Sequence, residues 1–108
     1  MKSIKNYYPA IILLSILILF SGCNKNVVDT SALYTPISTD VTANATLADL
    51  QQGRSLYINN CNNCHALASP DNYTATQWKT ILNTMGPRTG MSASDILLVN
   101  KYLARGKQ

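Results

Sequence analysis

Cys61-Asn62-Asn63-Cys64-His65 is the stretch on which the reading of this chain turns. Cys-x-x-Cys-His is the signature for covalent attachment of a c-type haem. Two thiols at this spacing can both bond the vinyl groups along one edge of a porphyrin. The adjacent histidine then lies under the iron as its proximal nitrogen ligand. Other chemistry fits the five residues less well. A structural zinc site takes four protein ligands, and the sequence offers no second histidine and no second cysteine pair. A redox-active Cys-x-x-Cys belongs in a βαβ setting, and no strand pattern of useful length can be read. A plain disulfide between Cys61 and Cys64 is the alternative without haem.

Three helical segments surround the motif. The first opens at Thr46-Leu47-Ala48-Asp49, close to a capping box, and runs through Leu47, Leu50, Tyr57 and Ile58 into Cys61. The second opens at Thr74-Ala75-Thr76-Gln77 and carries Trp78, Ile81, Leu82 and Met85 as an i, i+3, i+4, i+7 stripe. Gly86-Pro87 ends it. The third opens at Ser92 with Asp95 three residues on, and carries Ile96, Leu97, Val99, Tyr102 and Leu103. Lys101, Arg105 and Lys107 lie toward its end, where positive charge suits the helix dipole. The expected fold is all-α, a small domain over residues 46–108 wrapped around one covalent haem. A unit near 60 residues seldom builds a sufficient core alone, and the haem would be its staple.

The chain begins differently. Lys2 and Lys5 precede an apolar run from Ile11 to Phe20, followed by Ser21-Gly22-Cys23. A basic start, a short apolar stretch and small residues make a secretory signal over residues 1–22. An uncleaved membrane anchor is the competing explanation, although the run falls short of the ~20 residues a span needs. Phe20-Ser21-Gly22-Cys23 resembles the lipobox of bacterial lipoproteins, with phenylalanine where leucine is usual. The resemblance implies a lipidated Cys23, and several acyl chains on one residue anchor a protein stably. Residues 23–45, rich in Ser, Thr, Asn and Asp, read as the lipidated N-terminus and a tether. Val27, Val28, Leu33 and Tyr34 are the residues in it that could pack on the domain.

The 108-residue chain has a formal net charge of +4. Cleaved before Cys23, it would retain seven Lys/Arg and five Asp, a net of +2 with no glutamate. That is no basis for nucleic-acid binding, which needs a concentrated basic face. His65 is the sole histidine, so a second histidine on the iron is excluded within one chain. Met85 and Met91 are the candidate sixth ligands. Met91 precedes the Ser92 cap, where an apolar residue often packs against the fourth helical position, here Ile96. Met85 stands at the end of the Trp78 stripe and is preferred.

Taken together, Leu47 to Leu103 resembles the small monohaem class I cytochromes c. The resemblance rests on Gly53-Arg54-Ser55-Leu56-Tyr57 upstream of the haem motif, then Trp78, Met85 and the segment ending in Tyr102-Leu103. It implies that the first and last helices cross with Gly53 against Tyr102, where glycine permits close backbone approach. It also implies a proline carbonyl, here of Pro70, accepting a hydrogen bond from the haem histidine. The loop of 19 residues between His65 and Met85 is shorter than in larger members. The arrangement looks more like compact cytochrome subunits that partner periplasmic oxidoreductases. The expected function is one-electron transfer rather than enzymic catalysis. Redox partner proteins would dock transiently near the haem edge, where Lys79, Arg88 and Lys101 could form a rim. The protein would be lipid-anchored to a bacterial membrane and face the periplasm. The outer membrane is favoured because Asn24 rather than aspartate follows Cys23. The alternatives are a five-coordinate haem that binds a small gas or peroxide, and a structural lipoprotein with a Cys61–Cys64 disulfide.

Overall fold

The computed structural model describes residues 28–107. The segment read as a signal, and Cys23 with it, lie outside them. Three α-helices form the body: α1 (Leu47–Cys61), α2 (Ala75–Met85) and α3 (Ala93–Leu103). Short 3-10 turns at Ser38–Asp40, Pro70–Asn72 and Gly86–Thr89 link or precede them. Among the described residues there is no strand, only an isolated bridge between Thr42 and Ala45. None of these helices is long and apolar enough to cross a membrane. The all-α class expected from the sequence is the class observed.

Each helix starts where its side chains can satisfy the free amides of a first turn. Thr46 Oγ1 accepts from the Asp49 amide at 3.1 Å, and Asp49 Oδ2 accepts from the Thr46 amide at 3.1 Å. Thr74 and Gln77 make the same reciprocal pair at 3.3 and 2.8 Å. At α3 the Ser92 hydroxyl accepts from the Asp95 amide at 3.1 Å, but donates to the Asp95 carboxylate at 2.8 Å. The cap is therefore present without the returning backbone bond. Asp49 also takes a hydrogen bond from Lys101 at 2.9 Å, tying α1 to α3. That ammonium, with the Thr46 amide, holds the Asp49 carboxyl below its ordinary range.

The main packing is between α1 and α3. Leu50 on α1, with Val99, Tyr102 and Leu103 on α3, is essentially removed from water. Gly53 makes the approach possible. A Cβ built there would lie against the carbonyl oxygen of Leu98, 2.8 Å from its carbonyl carbon and 2.9 Å from Tyr102 Cβ. The helix-crossing pair implied by the resemblance is thus a direct backbone contact. On α2, Trp78 and Leu82 turn into the core, at 3% and 6% exposure, while Met85 at the end of the same stripe is 40% exposed.

The segment expected to be a tether packs on this body from Leu33 onward. Leu33 and Ala45 are buried. Tyr34 Oη donates to the Tyr102 carbonyl at 2.9 Å, and Tyr102 Oη donates to the Tyr34 carbonyl at 3.0 Å. The two rings stack with centroids 4.7 Å apart. Arg54 Nε donates to the Tyr34 carbonyl at 3.1 Å. The Arg105 guanidinium lies 4.0 Å over the Tyr34 ring and makes two bonds, at 2.9 and 2.8 Å, to Asp71. Burial pushes both phenols up to about 12, so they serve as neutral donors. A strap of this kind is how a unit too small for a deep core covers its helix pair. Past α3 the chain turns back through Gly106, at φ +66°, whose carbonyl accepts from Thr42 Oγ1 of the strap at 3.0 Å.

Candidate haem cleft

A cleft of about 590 Å³ opens between the end of α1, the turn after it, and α2. Its size falls in the range of roughly 300–1,000 Å³ usual for cofactor sites. Tyr57, Trp78, Ile81 and Leu82 form its apolar wall. Cys61, Cys64, His65 and Met85 all line it, so the four residues proposed as ligands from the sequence come to one cavity. Met91 does not line it. It is packed instead beside the core cluster, as is Ile96.

Local structure explains this convergence. Cys61 is the last residue of α1 and Cys64 follows in a tight turn, so both thiols reach the cleft from the end of one helix. Both are free thiols, Cys61 half-buried and Cys64 exposed. Burial, then the neighbouring Cys64, pushes the Cys61 thiol above its ordinary value. His65 is exposed, with Nδ1 2.8 Å from the Ala66 carbonyl. A carbonyl only accepts, so Nδ1 carries the hydrogen, and in the neutral ring Nε2 bears the free lone pair. A backbone carbonyl on the far nitrogen is the partner that orients a metal-binding histidine.

That partner differs from the expected one. The Pro70 carbonyl accepts from Trp78 Nε1 at 2.9 Å instead of from His65. The indole is buried and needs an acceptor, and Ser69 caps the Pro70–Asn72 turn beside it. Trp78→Phe is expected to cost about 1–3 kcal/mol in denaturant unfolding, because the buried carbonyl loses its donor. A change within experimental error would remove that bond from the account.

The loop after His65 has a second fastening. Tyr57 Oη donates to the Ala68 carbonyl at 2.9 Å and accepts from the Ala68 amide at 3.1 Å. Burial pushes this phenol, too, up to about 12. The Tyr73 ring meets Trp78 edge-on at 4.9 Å, and Trp78 meets Tyr57 edge-on at 6.3 Å. Sequence reasoning placed Tyr57 only as an apolar position of a helix; nothing in its spacing points to Ala68. Of the three expected rim cations, Arg88 lines the cleft. Lys79 is exposed on α2. Lys101 is engaged by Asp49 at 2.9 Å and does not line the cleft.

No family model and no solved structure matches the chain. Over 55 residues it is 38% identical to the cytochrome c-type protein TorY of Haemophilus influenzae, a match covering 51% of this chain and 15% of that protein. Over 42 residues it is 38% identical to the cytochrome c-type protein TorY of Escherichia coli O157:H7, covering 39% of this chain and 12% of that protein. The matches therefore span a small part of these relatives. They support a c-type cytochrome, and the three-helix fold fits that class.

Proposed function

We propose that this protein is a one-electron carrier holding a single covalent haem c. The observation that carries this reading is that both thiols of the Cys-x-x-Cys-His motif, its histidine and Met85 line the same apolar cleft. The donor set fits the group: two free thiols at the end of one helix, an imidazole whose oriented ring leaves Nε2 available, and a thioether. Haem bound there supplies a one-electron ferric–ferrous couple. Cys61 and Cys64 would hold the haem covalently as thioethers, by addition of each S–H across a vinyl group, which needs no oxidant. His65 and Met85 are the residues that would hold the iron. An iron held by both residues would have no open position for substrate. A methionine sulfur raises the potential.

Redox partners dock at the open side of the cleft, where Met85 and Tyr73 are 40% and 43% exposed. The encounter is small and transient, as is usual between electron carriers. Lipidation at Cys23 holds the domain at the periplasmic side of a bacterial membrane, with the outer membrane favoured, and the residues before the strap supply the remaining tether.

The visible spectrum of the full chain, matured with haem, tests the ligand set. The iron should be low-spin, with a weak sulfur-to-iron band in the ferric state. Met85→Ala should abolish that band and Met91→Ala should keep it. A high-spin ferric wild type would overturn methionine ligation and favour the gas- or peroxide-binding alternative. Failure to acquire covalent haem would overturn both.

A further inference from the structure

We propose that Tyr57 is a positioning residue for the haem histidine: its hydroxyl clamps the loop that carries the hydrogen-bond partner of His65. The inference deepens the haem reading above and rests on it.

Residues 66–69 run from the haem motif to the Pro70–Asn72 turn without helix or strand. The Ala66 carbonyl that meets His65 Nδ1 belongs to this loop. Among the described residues, Ala66, Leu67 and Ala68 make no backbone–backbone hydrogen bond. Side chains must therefore hold that carbonyl in place. Tyr57 Oη donates to the Ala68 carbonyl at 2.9 Å and accepts from the Ala68 amide at 3.1 Å. One hydroxyl thus satisfies both backbone groups of a single residue, two positions beyond the carbonyl on His65. Trp78 Nε1 takes the Pro70 carbonyl at 2.9 Å at the far end of the loop. Tyr57 is the clamp nearer the histidine.

The placement of Tyr57 follows from α1. The residue is 4% exposed, and its ring meets Trp78 at 6.3 Å and Tyr102 at 6.2 Å. A ring packed on both sides gives its hydroxyl little freedom to leave Ala68. Tyr57 and Cys61 are four residues apart on α1, so they are neighbours on one helix face. The same helix face that presents a thiol to the cleft also fastens the loop after the histidine. A carbonyl on the far nitrogen orients a ligating imidazole and makes it a stronger base. A more basic ligand favours ferric iron. Freed at Ala68, the loop lets the Ala66 carbonyl drift from Nδ1, and that preference weakens.

The reduction potential separates positioning of the histidine from ordinary core packing. In the matured full chain, Tyr57→Phe keeps the ring and removes both bonds to Ala68. It should shift the reduction equilibrium toward the ferrous form about threefold, about 28 mV at 59 mV per tenfold for a one-electron couple. Tyr102→Phe is the comparison. It removes another buried phenol, bonded to the Tyr34 carbonyl at 3.0 Å on the strap, and does not line the cleft. It should lower stability and leave the potential unchanged. A low-spin spectrum recorded for each variant shows that the iron ligands are intact. A Tyr57→Phe potential equal to or below that of wild type overturns the proposal while leaving the electron carrier standing. An equal shift in Tyr102→Phe overturns it as well, because a loosened core would then account for both. A second measurement needs no variant. In the matured wild type the Ala68 amide should exchange its hydrogen far more slowly than an unprotected amide. Exchange at the unprotected rate overturns the clamp, even where Tyr57→Phe fails to fold. A wild-type chain that takes no covalent haem removes the reading beneath it.

Discussion

Gly53→Ala should lower the stability of the domain by about 2–3 kcal/mol, although alanine is the better helix former by about 1 kcal/mol. The two effects have opposite signs, and geometry decides between them. At an open helix position the added methyl costs nothing sterically, and the substitution stabilises. At Gly53 the methyl would sit against the Leu98 carbonyl oxygen and 2.9 Å from Tyr102 Cβ. The first of these neighbours is backbone and cannot rotate away. The second begins a side chain that is itself fully buried and hydrogen-bonded to the strap. Relief therefore requires α1 and α3 to separate, which loosens Leu50 and Val99 and strains the stacked Tyr34–Tyr102 pair. Against the roughly 5–15 kcal/mol usual for folded domains, such a loss is a large fraction of the whole. Urea unfolding of the full chain measures it. A stabilised Gly53→Ala protein would falsify the close contact between these helices.

That contact was legible in the sequence only through its surroundings. A glycine inside a helical pattern is usually a tolerated defect. Its pairing with Tyr102 was visible because the stretch from Gly53 to Tyr57, the haem motif and Tyr102-Leu103 recur together in a known class. The helix boundaries were legible for a more local reason. Thr46 with Asp49, Thr74 with Gln77, and Ser92 with Asp95 carry their caps within four residues, so no distant contact was needed to place them. The strap was legible only in part: Leu33 and Tyr34 stood out as residues that could pack, but not what they pack against. Its order comes from the reciprocal bonds of Tyr34 and Tyr102, 68 residues apart, from Arg54 on the Tyr34 carbonyl and from Arg105 over the Tyr34 ring. A polar, aperiodic composition marks Tyr34 as a residue able to pack and does not name Tyr102 as its partner.

The site divides in the same way. Cys61, Cys64 and His65 fall within five residues, so a short motif carries them, and Met85 follows from a stripe on one helix. What fastens the loop between them is non-local. Tyr57 reaches Ala68 across 11 residues, and Trp78 claims the Pro70 carbonyl across 8. Pro70 shows why a family pattern does not replace the local chemistry. A buried indole N–H requires an acceptor, and this carbonyl is the one it uses. His65 turns to the adjacent Ala66 carbonyl instead.

The double variant Cys61→Ala/Cys64→Ala should lose covalent haem completely, the largest effect expected of any change in this protein. Each thioether needs a thiol at the cleft, and these two are the only cysteines among the described residues. With neither, haem is held by His65, Met85 and apolar contact alone, and acidified organic solvent extracts it. The single variants should behave differently from the double and from each other. Cys64→Ala retains the thiol at the end of α1, which is half-buried and fixed by its helix. Cys61→Ala retains only Cys64, exposed in the turn, and should mature less completely. In both single variants one vinyl group stays in conjugation with the porphyrin, so the visible bands shift to longer wavelength. Extraction followed by gel staining for covalent haem separates the four proteins. Haem that stayed on the double variant through extraction would show that another side chain holds it, and would remove Cys61 and Cys64 from the site. Equal maturation of the two single variants would leave the attachment assignment intact but show that the helix end gives Cys61 no advantage over the exposed turn.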